Sequence, residues 1–126
     1  MKALQIIEAA YRGTLEEQDD TIIWLTHSMR DTGADLSVLL TGNAVNYVLK
    51  GQDASGLEFG RWTQVNPPNL ERELENLIAK DVPVYVMRDE IDRRGLGEAF
   101  TIEGIKLLNW EDLPKLLDAH DHIWHW

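Results

Sequence analysis

The sequence predicts an α/β fold: a three-layer α/β/α sandwich around a mostly parallel, five-stranded sheet. Two observations lead to this prediction. Short apolar runs alternate with amphipathic segments along the whole chain, which is the pattern of strand–helix–strand units. At 126 residues, the chain is long enough for one hydrophobic core, and no change in composition marks a boundary. We therefore expect a single domain over residues 1–126.

The first part of the chain is predicted to contain two strands and two helices. The apolar segments Lys2–Ala9 and Asp35–Thr41 are typical of buried strands. Between them, Thr14 opens a capping-box pattern, so a helix is expected to start there, with the acidic residues up to position 20 in its first turns. A short helix over Ala44–Lys50 is expected to follow the second strand and to end at a glycine.

The middle of the chain combines one long loop with one strongly amphipathic helix. The segment Gln52–Val65 has no clear period and is expected to expose Phe59 and Trp62. A loop of this length is either a lid or partner surface, or a segment that folds over its own core. Leucine and isoleucine at helical spacing then predict a helix from Asn69 to Lys80.

The last part of the chain begins with the apolar run Val82–Met87, a predicted strand around which the fold is organised. A short helix is expected directly after it, ending at Gly95. A fourth strand over Ile105–Leu108 leads to a last helix through Leu117, in which a proline must fall in the first turn. The tail His122–Trp126 is expected to form an edge strand.

Charge and composition exclude several classes of function. The net charge of −10 disfavours nucleic acid and anionic membranes as partners, because both require clustered Lys and Arg. No stretch approaches the roughly 20 apolar residues of a membrane span. Because no signal peptide is recognisable either, the sequence predicts a cytoplasmic protein. Cysteine is absent, which excludes disulfides, thiolate metal sites and persulfide chemistry.

A candidate ligand site lies where the predicted strands end. The loops after parallel strands share one rim of the sheet, so polar residues from distant segments are expected to meet there. The candidate ligand-binding residues are Glu8, Tyr11, Arg12, Gly42, Asn43, Met87, Arg88 and Asp89. Backbone N–H groups with Arg12 or Arg88 would suit an anion, which Asp89 and Glu90 would repel. The alternative is a set of solvated, helix-terminal acids.

The histidine-rich tail is the only other candidate site. His120 and His122 are weak metal candidates, because strand alternation turns His125 to the other face and no fourth ligand is evident. Packing of Trp124 and Trp126 at a subunit interface is the alternative. No phosphate loop, serine elbow or dinucleotide fingerprint appears, so no cofactor is expected.

Four segments together resemble the DsrE/DsrF-like sulfur-relay family. In chain order they are KALQIIEA, VLLTGNAVNYVLKGQ, NLERELENLIAKDVPVYVM, and RRGL followed by IEGIKLLN. The resemblance covers nearly the whole chain and implies a three-layer α/β/α domain that assembles into trimers or hexamers.

The same resemblance implies persulfide transfer, but this chain lacks the cysteine that the activity requires. Catalytic family members carry persulfide sulfur on a cysteine eight residues before the glycine of RRG, and some carry a second cysteine three residues later. Here these positions are Met87 and Glu90, so no catalytic residue is expected. The resemblance therefore implies a binding or scaffolding subunit of a homo-oligomer, or of a hetero-oligomer with sulfur-carrying relatives. The alternative is a small-ligand- or anion-binding protein or thiol-independent enzyme that uses Glu8, Arg12, Asn43 and Arg88.

Overall fold

The structure is a computed structural model and describes residues 1–11, 20–53, 55–97 and 100–126. Within these residues, five parallel strands form the main sheet. The strands are β1 (Lys2–Ile7), β2 (Asp35–Leu40), β5 (Val84–Met87), β6 (Lys106–Leu108) and β7 (His122–His125). Their order across the sheet is β6-β5-β2-β1-β7, and all four pairings are parallel. This confirms the predicted sheet, with β2 rather than β5 at its centre.

In the described part of the chain, four α-helices and two 3₁₀ helices connect the strands. The α-helices are α1 (Thr21–Asp31), α2 (Leu70–Ala79), α3 (Arg88–Arg93) and α4 (Leu113–Asp118). The 3₁₀ helices cover Gly42–Val48 and Trp110–Asp112. The first of them corresponds to the short helix predicted over Ala44–Lys50, but it begins and ends two residues earlier and is a 3₁₀ helix. Pro114 falls in the first turn of α4, where its missing N–H costs no helical hydrogen bond.

The two faces of the sheet carry separate hydrophobic clusters, because successive strand residues point to opposite sides. On one face, Val38 and Val84 belong to a large cluster with residues of α1, α2 and the 3₁₀ helix over Gly42–Val48. On the other face, Leu39 and Met87 belong to a smaller cluster with Leu116 of α4. Helices thus cover both faces, which confirms the three-layer α/β/α architecture.

Two segments differ locally from the prediction. Asp20 is not within the first helix but caps it: its backbone is extended, and its Oδ1 accepts hydrogen bonds from the N–H groups of Ile22 and Ile23. The predicted cap at Thr14 lies outside the described residues. The long loop contains a small hairpin, β3 (Glu58–Phe59) and β4 (Trp62–Thr63).

The hairpin exposes two aromatic side chains, Phe59 and Trp62, as predicted.

Among the helices that the structure describes, none is long and apolar enough to cross a bilayer.

Candidate functional site

A pocket of about 370 Å³ opens at the carboxyl edge of the sheet. Four segments that are distant in sequence contribute to its wall. Its lining residues are Glu8 and Ala9 after β1, Gly42 and Asn43 after β2, Arg94 after α3, and Trp126 after β7. This is the edge at which parallel α/β sheets bind ligands, because the strand ends and the following helices leave a crevice there.

Backbone hydrogen bonds join the ends of three strands around this pocket. The N–H of Ala44 donates to the carbonyl of Glu8 at 3.2 Å, and the N–H of Glu8 donates to the carbonyl of Trp126 at 3.0 Å. Gly42 adopts φ +53°, and a Cβ at this position would lie 2.9 Å from the Cγ of Glu8. Only glycine allows so close an approach in this conformation.

Two charge pairs adjoin the pocket. The Oε2 of Glu8 lies 2.8 Å from the Nε2 of His125, and both side chains are more than half exposed. Arg94 forms an ion pair with Glu90 one helical turn earlier and donates a second hydrogen bond to the Oδ1 of Asn43 at 3.0 Å. The pairing with Glu90 compensates the positive charge of Arg94.

Trp126 is held by a buried polar side chain. Its indole N–H donates to the Oε1 of Gln5 at 2.6 Å, and Gln5 is fully buried on β1. The amide of Gln5 in turn lies 3.8 Å from the Sδ of Met29 on α1. The indole therefore has a defined orientation although 36% of the residue remains exposed.

The model of the DsrE/DsrF-like family matches residues 7–124, nearly the whole chain. The chain belongs to this family. Several solved structures share the fold of this DsrE/DsrF-like protein, and two of them are described below. The crystal structure of the ychN protein from E. coli has a TM-score of 0.73 at 23% identity, with 100% of both chains covered.

The second solved structure is MTH1491 from Methanobacterium thermoautotrophicum, a protein of unknown function. It has a TM-score of 0.61 at 8% identity, with 98% of this chain and 97% of that chain covered. At these identities the two structures establish the fold alone. No curated protein sequence matches this chain.

In this DsrE/DsrF-like chain, Met87 stands where the resemblance implies the family's cysteine. It is the last residue of β5, at the carboxyl edge, as the sequence indicated. Its side chain is only 1% exposed and belongs to the same cluster as Leu4, Leu39 and Leu108 on the α4 face. Met87 therefore does not line the pocket, and its thioether is inaccessible to a partner or ligand in this conformation.

Three of the predicted ligand residues, Glu8, Gly42 and Asn43, line the pocket. Tyr11 does not: its hydroxyl donates to the Oε1 of Gln52 at 3.1 Å, and its ring packs edge-on against another tyrosine. Arg12 lies outside the described residues.

Two further predicted residues, Arg88 and Asp89, also lie away from the pocket wall. Arg88 donates through Nε to the Oδ1 of Asn109 at 3.0 Å, beyond the end of β6. One carboxylate oxygen of Asp89 is buried and has no hydrogen-bond partner among the described residues. Arg88, expected to assist an anion, and Asp89, expected to repel one, are therefore not among the lining residues of this pocket.

The sequence interpretation missed Arg94, Trp126 and His125 as neighbours of the site. Arg94 is the second arginine of RRGL, so the motif was noticed, but its hydrogen bond to Asn43 spans 51 positions. No periodic pattern reports a contact of that range.

The two weak metal candidates do not converge. The Nδ1 of His120 lies 2.7 Å from the carbonyl of Leu116, whereas His122 stacks on Trp124. Within the described part of the chain, no three His, Asp or Glu side chains are grouped as a metal site requires.

Proposed function

We propose that this chain is a non-catalytic DsrE/DsrF-like protein, a binding or scaffolding subunit of an oligomer related to intracellular sulfur trafficking in the cytoplasm. The observation that carries this proposal is the absence of any cysteine, and it is supported by the buried Met87 at the position where the resemblance implies the sulfur-carrying cysteine. A thioether has no proton to lose and no free valence, so it cannot form a persulfide. The chain would therefore contribute surface rather than sulfur chemistry.

Exposed aromatic side chains support a role in assembly. Trp24, Phe100 and Trp110 are each more than half exposed, as is Phe59 on the hairpin. Such residues are enriched at protein interfaces, where they bury large areas at low entropic cost. Homo-oligomers and hetero-oligomers with sulfur-carrying relatives both fit this surface.

The first test concerns sulfur. Incubation with a persulfide donor is expected to leave the intact mass of the chain unchanged, whereas the variant Ala9→Cys, with a thiol on the pocket wall, should gain sulfur under the same conditions. The variant shows that the donor is active. A stable gain of one sulfur atom by the unmodified chain would contradict the proposal.

The second test concerns assembly. Light scattering after size exclusion is expected to give at least a trimer, and a strict monomer would contradict an assembly role. Capture of the chain from native extract should bring down cysteine-bearing relatives if the oligomer is mixed.

The pocket supports a second candidate function, a small-ligand-binding protein or a thiol-independent enzyme acting at the rim. Of the residues assigned to this alternative, Glu8 and Asn43 line the cavity. Arg88 is bonded to Asn109 instead, which weakens the anion version of the hypothesis. Native mass spectrometry of the protein as purified is the test: a stoichiometric small molecule that is lost on denaturation would favour this candidate over the scaffold.

A further inference from the structure

We propose that the pocket at the carboxyl edge binds an organic cation through a primary ammonium group. The inference rests on the second candidate function, that this pocket is a ligand site, and it names the chemistry of the ligand. Glu8 receives the ammonium, and Trp126, which is 36% exposed, is a lining residue of the same wall. A cation is attracted by a carboxylate and by the face of an indole ring.

The balance of charge around the pocket is the first argument. Arg94 is the only cation among the described lining residues, and Glu90 already neutralises it. Glu8 lies beside His125, and no Lys or Arg pairs with it among the described residues. Among the described lining side chains, Glu8 is thus the acidic group that no Lys or Arg compensates, which favours a cation over an anion.

The hydrogen-bonding capacity of Glu8 is the second argument. Its Oε2 contacts His125, whereas its Oε1 has no hydrogen-bond partner among the residues that the structure describes. The carboxylate is 59% exposed, so a ligand can reach this oxygen without displacing any protein group. An ammonium brings three donors to an acceptor that is still available.

The shape of the site limits the ligand to a small one or to a side chain. A cavity of about 370 Å³ lies at the lower end of the range for small-molecule sites. It is open to solvent, so either a free aliphatic amine or a lysine side chain on a partner protein can enter. The two sources share the same recognition chemistry.

The probes are 1,4-diaminobutane, a capped Gly-Lys-Gly peptide, and butyrate as the anionic control. Each is titrated at constant ionic strength and at about pH 8, where aliphatic amines are charged. Binding is followed by the NMR signal of the Trp126 indole N–H, assigned by its loss in Trp126→Phe. Both amines should shift this signal saturably, and butyrate should not.

Three variants separate this proposal from an anion site. Glu8→Gln should weaken amine binding about fivefold, the upper range for one exposed ion pair. Glu58→Gln removes an equal charge from the hairpin, outside the pocket, and should leave binding unchanged. Arg94→Gln releases Glu90 and should strengthen amine binding, whereas an anion site would lose its cation.

The outcomes are distinct. Saturation by diaminobutane alone assigns a free amine, and tighter binding of the peptide assigns a partner's lysine. Butyrate binding that is lost in Arg94→Gln would overturn the proposal that the ligand is a cation, but the pocket would remain a ligand site. No response to any probe would overturn this inference, whereas the second candidate function is decided by native mass spectrometry and the scaffolding proposal by sulfur mass and assembly.

Discussion

The hydroxyl of Tyr47 donates a hydrogen bond to the Oδ2 of Asp20 at 2.6 Å, in a fully buried position. The same hydroxyl oxygen accepts a hydrogen bond from the backbone N–H of Tyr11. Asp20 in turn caps α1 through its other carboxylate oxygen. One hydroxyl on the 3₁₀ helix after β2 therefore anchors both the chain beyond β1 and the start of α1, close to the rim of the sheet.

Tyr47→Phe is expected to destabilise the protein by about 1–3 kcal/mol, because a buried carboxylate loses a donor and a backbone N–H loses its acceptor. Urea denaturation measures the loss. Tyr85→Phe, which removes a hydroxyl from a half-buried ring on β5, is the control and should change stability by less than about 0.5 kcal/mol. Equal effects of the two substitutions would contradict a special role for the Tyr47 hydroxyl.

Asp20→Ala is expected to lower the free energy of unfolding by about 1 kcal/mol through the loss of the helix cap. A further loss is expected because the Tyr47 hydroxyl no longer has its acceptor. Combined with Tyr47→Phe, the two effects should not add. A double-mutant cycle is expected to give a coupling energy of about 0.5–3 kcal/mol. Strict additivity would show that the bond between the two side chains contributes nothing to stability.

Gly42→Ala should destabilise the protein more than Gly51→Ala. Both glycines have positive φ, at +53° and +73°, but an added Cβ meets Glu8 only at Gly42. We expect about 1 kcal/mol for the backbone conformation in each variant, and about 1–3 kcal/mol more at Gly42 for the steric conflict. Thermal unfolding of the two variants side by side measures this difference, and equal losses would contradict the close packing at the pocket.

Met87→Cys is not expected to create a reactive thiol, because this side chain lies in the core of the α4 face. A cysteine there should react with a thiol reagent much more slowly than one introduced by Ala9→Cys on the exposed pocket wall. Labelling under native conditions, followed by mass spectrometry, gives the two rates. If Met87→Cys reacted as fast as Ala9→Cys, the position would be accessible despite its burial.

Asp121→Asn should make stability less dependent on pH in the acid range. The backbone N–H of Lys2 donates to the Oδ2 of Asp121 at 2.7 Å and lowers the pKa of this carboxyl below 3.8. Because the pKa is lower in the folded state, the ionised carboxyl stabilises the fold at pH values above 3.8. This stabilisation is lost as the pH falls through the pKa of the folded state. The amide variant keeps an acceptor but cannot titrate.

The urea midpoint should therefore fall less between about pH 7 and about pH 3 in Asp121→Asn than in the parent chain. Asp118→Asn, at the end of α4, is the control and should keep the parent's dependence on pH. If both variants behaved like the parent, the link between β1 and β7 through Asp121 would not contribute to acid sensitivity.

Much of the fold could be predicted from local patterns. The apolar runs that form β2 and β5, and the leucine stripe of α2, appear where they were predicted, because a continuous apolar run and a helical stripe are both short-range signals. Asp20 was expected inside the first helix but caps it, and its second carboxylate oxygen accepts a hydrogen bond from the Tyr47 hydroxyl. This contact spans 27 positions, so no local pattern reports it.

The sequence predicted where the candidate site lies, but not all of the residues that form it. Parallel strands bring their carboxyl ends together, so Glu8, Gly42 and Asn43 could be assigned to one rim. Arg94 and Trp126 could not, because their contacts depend on the register of strands and on side-chain directions that no local pattern encodes.

The sequence alone determined the alternation of strands and helices, the family and the absence of a thiol, since each of these depends on residue identity or short-range order. The tertiary structure alone decided that Met87 faces the core and that Glu8 lies beside His125, 117 positions away. The physical reason is the pleat of the sheet. It sends neighbouring residues to opposite faces, so pairing register decides which side chains meet solvent and which meet each other.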